Sequence, residues 1–243
     1  GHNVNAPLPG LGRPDPMLGN IDQVESAGNS QTHLMIVSLN RLSERFSFFL
    51  YYVLSSSRND TDGPLSLPAN NENLNGEWGP ASSDARHRVF GYVGFNLTKA
   101  LGLGTIFTAN SAMPYNITTG FDNNSDTVFN DRPQGVGRNS ARGVGDWNLG
   151  ARVSYSFAFG KARNGPKGAR VVRVTDRDDA LGALGSRSGK DGLIKLQLYL
   201  QAYNVFNHTN PMNFTGVETS PFFGLPTAAQ PPRRIEMGLR VGF

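Results

Sequence analysis

The chain has 243 residues, with 23 Lys and Arg against 19 Asp and Glu for a net charge of +4, and it carries 29 Gly, 15 Pro and no Cys. This excludes a disulfide scaffold and thiolate metal sites, and no stretch approaches the run of about 18 apolar residues that a membrane helix requires. The basic residues are spread along the chain rather than gathered on one face with aromatics between them, which speaks against a nucleic-acid binder.

Residues 1–32 read as an extracellular loop, because Pro7, Pro9, Pro14 and Pro16 stand too close together for a helix or strand to run through them. The chain opens on Gly1 with no charged-then-apolar leader behind it, so it reads as a fragment or a processed product. A first strand follows over 33–42, with Met35, Val37 and Leu39 alternating against Ser38 and Asn40. A tight turn at Ser43 and Glu44 leads to a second strand over 45–55, bulky on both faces, so its register is open. After a polar loop over 56–86, strands over 88–97 and 101–111 flank a short turn.

Residues 112–145 are again long and polar, and the fifth strand then alternates Trp147, Leu149, Ala151, Val153, Tyr155 and Phe157 against Asn148, Gly150, Arg152, Ser154 and Ser156. Its aromatics stand at both ends, where the girdles of a membrane barrel belong. An irregular basic stretch over 158–192 reads as an insertion. The sixth strand, 193–206, sets Ile194, Leu196, Leu198 and Leu200 opposite Lys195, Gln197, Tyr199 and Gln201. A loop over 207–232 leads to the last strand, 233–243, where Ile235, Met237, Leu239, Val241 and Phe243 alternate against Arg234, Glu236, Gly238, Arg240 and Gly242.

Five alternate residues cover about 27 Å of strand, or roughly 21 Å of height at a tilt of about 40°, close to the apolar band of about 25 Å in an outer-membrane barrel. With the terminus on the periplasmic side, the long connections after the second, fourth and sixth strands are extracellular and the short turns periplasmic. The stretch 158–192 is then a long periplasmic exception. The predicted fold is all-β: an antiparallel, up-and-down transmembrane β-barrel segment of about seven strands over 33–243, bathed in outer-membrane lipid. An odd count implies further strands elsewhere, since bacterial single-chain barrels have an even number.

Three stretches carry a family resemblance: Asn130-Asp131-Arg132-Pro133-Gln134-Gly135-Val136-Gly137-Arg138-Asn139-Ser140-Ala141-Arg142-Gly143, then Ala202-Tyr203-Asn204-Val205-Phe206-Asn207-His208-Thr209-Asn210, then Ser220-Pro221-Phe222-Phe223-Gly224-Leu225-Pro226-Thr227-Ala228-Ala229. Together they resemble the C-terminal barrel of Oar-like TonB-dependent receptors. The resemblance implies a transporter of about 22 strands with a plugged lumen, in the outer membrane of a Gram-negative bacterium. It is energised through the TonB system, and its plug and N-terminal strands belong to the same protein. It also implies that Phe243, with Val241 and Leu239, forms the terminal signal read by the barrel-assembly machinery. A chain of this extent is not competent to transport alone.

Arg132, Arg138 and Arg142, with Gly135 and Gly137, are candidate lumen or loop ligand contacts, or cations that hold a loop inward by pairing with carboxylates; the spacing is not that of a P-loop. Asp122, Asn124 and Asp126 stand two apart with Asp131 beyond, the opening of a calcium loop. Thr127 occupies the place of the turn glycine, however, and Pro133 that of the bidentate Glu. Calcium is the single cofactor candidate. His2, His33, His87 and His208 share no metal spacing and no nucleophile elbow occurs, so the chain reads as no enzyme. The rival expectation is a secreted β-sandwich for carbohydrate binding or adhesion, which needs a core buried between two sheets.

Overall fold

A computed structural model describes residues 1–8, 10–71, 73–160 and 194–242. Long strands form wherever the period-2 pattern runs: β1 Ser30–Leu42, β2 Phe46–Asn59, β3 His87–Asn96, β4 Leu101–Asn110, β5 Asp146–Phe159, β6 Ile194–Tyr203 and β7 Arg234–Gly242. Each pairs antiparallel with its sequence neighbour, giving one sheet in the order β7-β6-β5-β4-β3-β2-β1, with the two-residue strand Gly79–Pro80 added against the end of β2. This is the expected up-and-down meander. β1 begins at Ser30 rather than 33, because its ladder continues to the pair Ser30 and Asn59. The irregular stretch 158–192 lies, from 161 onward, outside the described residues, as does Phe243.

The ladder fixes which side chains share a face. Val153 stands opposite Leu200, which stands opposite Met237, and Val153 also faces Leu103, itself opposite Phe95. The apolar residues therefore merge into one continuous face, and nothing covers it: Met237 is 83% exposed and Leu200 52%. The opposite face holds the buried polar side chains Arg152, Ser154, Gln197 and Gln201. Such an inside-out distribution is unstable in water and natural in a bilayer, where the apolar side meets acyl chains. The sandwich expectation fails here, since among the described residues the remaining sheets are two-stranded pieces and no second layer buries the apolar face.

The second strand, bulky on both faces, is pinned by its neighbours. Phe48, Leu50 and Tyr52 stand opposite Val93, Gly91 and Val89 on the apolar face. Phe49 and Tyr51 stack at 6.2 Å on the other, with Phe90 beside them at 6.2 Å. Aromatic girdles lie at both margins of the apolar face. Phe46 meets Phe95 and Tyr155 meets Phe157 at one margin, and Trp147 stacks on His208 at 4.5 Å at the other. The ten steps from Trp147 to Phe157 rise about 34 Å, or about 26 Å of height after a tilt of about 40°, the height of a barrel's apolar band.

On the polar face, glycines make room for tyrosines. Tyr199 is the register partner of Gly238, and its ring occupies the space where a Cβ on Gly238 would stand, 2.3 Å away. Arg152 stacks on the same ring, its guanidinium carbon 3.8 Å from the centroid. Replacing Gly238 by Val should therefore force Tyr199 off Arg152 and destabilise the β6–β7 pair by about 1–3 kcal/mol. Urea unfolding in detergent micelles followed by tryptophan fluorescence checks this, and most of the loss should disappear in the G238V/Y199A double variant.

Candidate functional site

The chain segments beyond the upper ends of the strands fold into a polar cap. The stretches read as loop contain short hairpin ladders: His2–Asn3 with Asp22–Gln23, Pro114–Tyr115 with Ala141–Arg142, and Pro211–Phe214 with Pro226–Ala229. The opening segment reaches the other loops through Asn3, whose backbone N–H donates to Asn71 at 2.7 Å, and through Arg13, which donates to Thr127 at 3.1 Å. Thr118 and Val217 form a parallel bridge between the second and third long connections. In these loops most backbone groups lack a ladder, and side-chain amides take its place. Asn3, Asn5, Asn204 and Asn210 are the largest fully buried side chains described, and each hydrogen-bonds backbone groups as a missing strand would.

The three predicted arginines lie in one clamp. Arg132 donates to both carboxylate oxygens of Glu77, at 3.1 and 2.7 Å, in the two-pronged geometry that favours Arg over Lys. Arg138 is 4% exposed; it donates to the carbonyl and side-chain oxygens of Asn59 at 2.7 and 2.8 Å and pairs with Asp62 at 2.6 Å. Arg142 pairs with buried Asp84 at 2.6 Å and donates to the carbonyls of Asp84 and Ala112 at 2.9 Å. All three thus fasten 112–145 onto 60–86. Their carboxylate partners Asp62, Glu77 and Asp84 were missed in the sequence, where they stand isolated among Gly, Pro and Ser with no spacing to mark them.

Burial pushes the Asp62 carboxyl upward, but the backbone N–H of Ser82, the amide of Asn139 and the Arg138 charge prevail and hold it down at about 2. The calcium candidates occupy the same layer. Asp122 accepts the N–H groups of Asp126 and Thr127 at 3.1 and 2.9 Å, and Asp126 accepts that of Val128 at 2.8 Å. Asp131 accepts that of Asn123 at 2.7 Å, and Asn124 donates to Asp126 at 3.2 Å. These oxygens therefore face backbone donors, in Asx-turn fashion. Burial, followed by the nearby charges of Asp131 and Asp122, raises the Asp126 carboxyl against the hydrogen bonds it accepts. Among the described residues no group of three or more His, Asp and Glu is placed to hold a metal ion.

A pocket of about 300 Å³ opens in the cap, lined among others by Asn70, Asn73, Glu77, Asn124, Asp131 and Arg132. Arg132 is the predicted arginine that borders it; Arg138 and Arg142 do not. Val241 and Leu239, 53% and 55% exposed, lie on the apolar face of β7 as expected. The run Ala202–Asn210 caps the last strands. Asn204 accepts the N–H of His208 at 2.9 Å and donates to its carbonyl at 2.8 Å. Asn210 does the same to Trp147 at 3.0 and 2.8 Å, and Asn207 accepts the N–H of Arg233 at 3.0 Å. The tops of β5, β6 and β7 are tied through three amides.

The chain belongs to the outer membrane beta barrel domain family, whose model matches residues 1–236. No curated protein and no solved structure matches it. The chain is accordingly an outer-membrane barrel protein of a Gram-negative bacterium, with its apolar face in lipid and its strands as barrel wall.

Replacing Arg138 by Met removes the cation from the buried pair and leaves Asp62 and Glu77 without it, which should cost about 3–5 kcal/mol of cap stability. Amide exchange in 60–86 should accelerate while exchange in the β5–β7 ladder stays as it was. Acid acts through the same contact. Because the folded-state carboxyl of Asp62 titrates at about 2, below its ordinary 3.8, its contribution is present above about 4 and lost as pH falls towards 2. Limited pepsin digestion across that window should show the cap opening, with a smaller pH response in the D62N variant.

Proposed function

We propose that this chain is the C-terminal wall of the barrel of a TonB-dependent receptor of the Oar-like type, serving energised transport across the outer membrane. The observation that carries the reading is the open sheet: among the described residues β1 and β7 end the strand order and do not pair with each other. An unclosed edge in lipid leaves backbone groups unsatisfied at several kcal/mol each, so closure by further strands of the same protein follows. Of the three stretches that resemble the family, the first supplies the cap clamps and the second the strand-end amides described above, while the third forms one side of a cap ladder, and this concentration supports the reading. The polar inner face, with Arg152, Gln197, Gln201 and Glu236, suits a lumen that holds water or a plug rather than acyl chains.

Within this reading the pocket beside Arg132 is where the cap meets a polar solute, while Arg138 and Arg142 serve by holding the loops. Leu239, Val241 and Phe243 form the strand end recognised during barrel assembly. The chain's own residues bind and orient; the work of transport comes from the proton-motive force acting through the TonB system. No residue is assigned a catalytic role.

The test uses the intact protein purified from outer membranes. Its structure should show about 22 strands and a plug in the lumen, and it should comigrate with the periplasmic domain of TonB on size-exclusion chromatography. A barrel closed by 8 to 12 strands with an empty lumen, or one that ignores TonB, would overturn the reading.

A further inference from the structure

The upper margin of the lipid face carries an arginine and a set of imidazole and hydroxyl groups that the cap leaves unused. His33 stands opposite Ser56, Gln31 opposite Arg58 and Leu54 opposite His87. His33, Ser56 and Arg58 therefore stand together on the outer side of β1 and β2, and His87 stands diagonal to Ser56 on β3, diagonal pairs being about 7–8 Å apart. The Tyr52 hydroxyl lies 2.8 Å from His87 Nδ1, with the two rings stacked at 6.1 Å. A phenol donating to Nδ1 leaves the other ring nitrogen as an N–H donor. Arg58 is exposed, and its guanidinium makes no hydrogen bond or ion pair with a described residue.

Carboxylates nearby are turned away. Asp60 accepts the N–H and the amide of Asn29 at 2.8 and 3.0 Å; Asp62 is held by Arg138 and Asp84 by Arg142. Directly below the cluster the same face continues as Met35, Val37 and Leu54, with Met35 52% and Val37 45% exposed. The Arg58 cation, with imidazole and hydroxyl groups beside it, thus sits at the level of the headgroups, with apolar surface beneath it for chains. That is the pattern of a site for an anionic lipid, in which a surface Lys or Arg contributes through the headgroup charge and Arg offers planar, two-pronged recognition of phosphate.

We propose that His33, Arg58 and His87, with Ser56, bind the phosphate-bearing headgroup of an outer-leaflet lipid whose acyl chains lie along Met35, Val37 and Leu54. The inference rests on the outer-membrane location and on the long loops marking the outer side, and it is independent of what the barrel transports.

Native mass spectrometry of the intact protein in detergent, offered bisphosphorylated lipid A and its dephosphorylated form, tests it. Retention of the phosphorylated form should be preferred, R58Q should lower that preference about fivefold, R58K should keep most of it, and H33Q/H87Q should weaken it further in combination with R58Q. Heat-shifted gel mobility checks that each variant is folded; should R58Q fail that check, H33Q/H87Q against the wild type decides. Equal retention of the two lipids, or an unchanged preference in H33Q/R58Q/H87Q, would overturn the proposal. So would complete displacement of the lipid by millimolar inorganic phosphate, which would mark a free-anion site.

Discussion

The constraint behind this structure is that hydrocarbon offers a backbone no hydrogen-bond partner. Every N–H and C=O within the bilayer must be satisfied by the protein itself, and a meander of neighbouring antiparallel strands does this with short turns on one side. Once strands are forced, side chains alternate across the wall, and their chemistry sorts by solvent: lipid outside, lumen within. Residues such as Met237 and Leu200 are exposed because their environment is apolar, while Arg152 and Gln201 are buried because the inner face packs against itself. The usual equation of buried with apolar is inverted, and that inversion is the physical signature of the fold.

The inner wall is not uniform. Over β2 and β3 it presents Phe49, Tyr51, Phe90 and Tyr92, with small Gly94 and Gly104 beside them. Over β5 to β7 it presents Arg152, Gln197, Gln201, Glu236 and Arg240. Glycine decides how closely these large groups lie to the wall: Tyr92 occupies the space over Gly94 as Tyr199 occupies that over Gly238. A tyrosine laid flat covers backbone that would otherwise face the lumen and presents its edge to the next side chain. Tightness in the wall is therefore bought by residues without a side chain, not by apolar packing.

Strand positions were legible in the sequence because alternation is a local property. β5 and β7 appear within a residue or two of their predicted limits, as Trp147 and Ile235 mark the first outward-facing position of each. The register of β2 was not legible, since Phe48 and Phe49 are equivalent in hydrophobicity and only the partner strand distinguishes their faces. The cap was legible as polar loop, yet its order was hidden. Arg138 meets Asp62 and Glu77 across 76 and 61 positions, separations at which no spacing rule operates. The same holds for Asn210 and Trp147, 63 residues apart. A motif such as Ala202–Asn210 can thus be recognised long before its job, replacing ladder bonds at strand ends, can be read.

Order in the cap and openness at the sheet edges belong together. The cap spends buried amides and ion pairs to fix loops that carry no core; Ala6, Ala81 and Ala85 are among the few buried apolar side chains described. Polar clamps of this kind need partners at defined distances, so they stay assembled only where the strands beneath hold their ends apart at fixed spacing. The strands in turn keep that spacing through hydrogen bonds that cost nothing extra in lipid, where the alternative is an unsatisfied group. Stability therefore runs upward from wall to loops, and a change in the wall, such as one at Gly238, is felt in the cap more readily than the reverse.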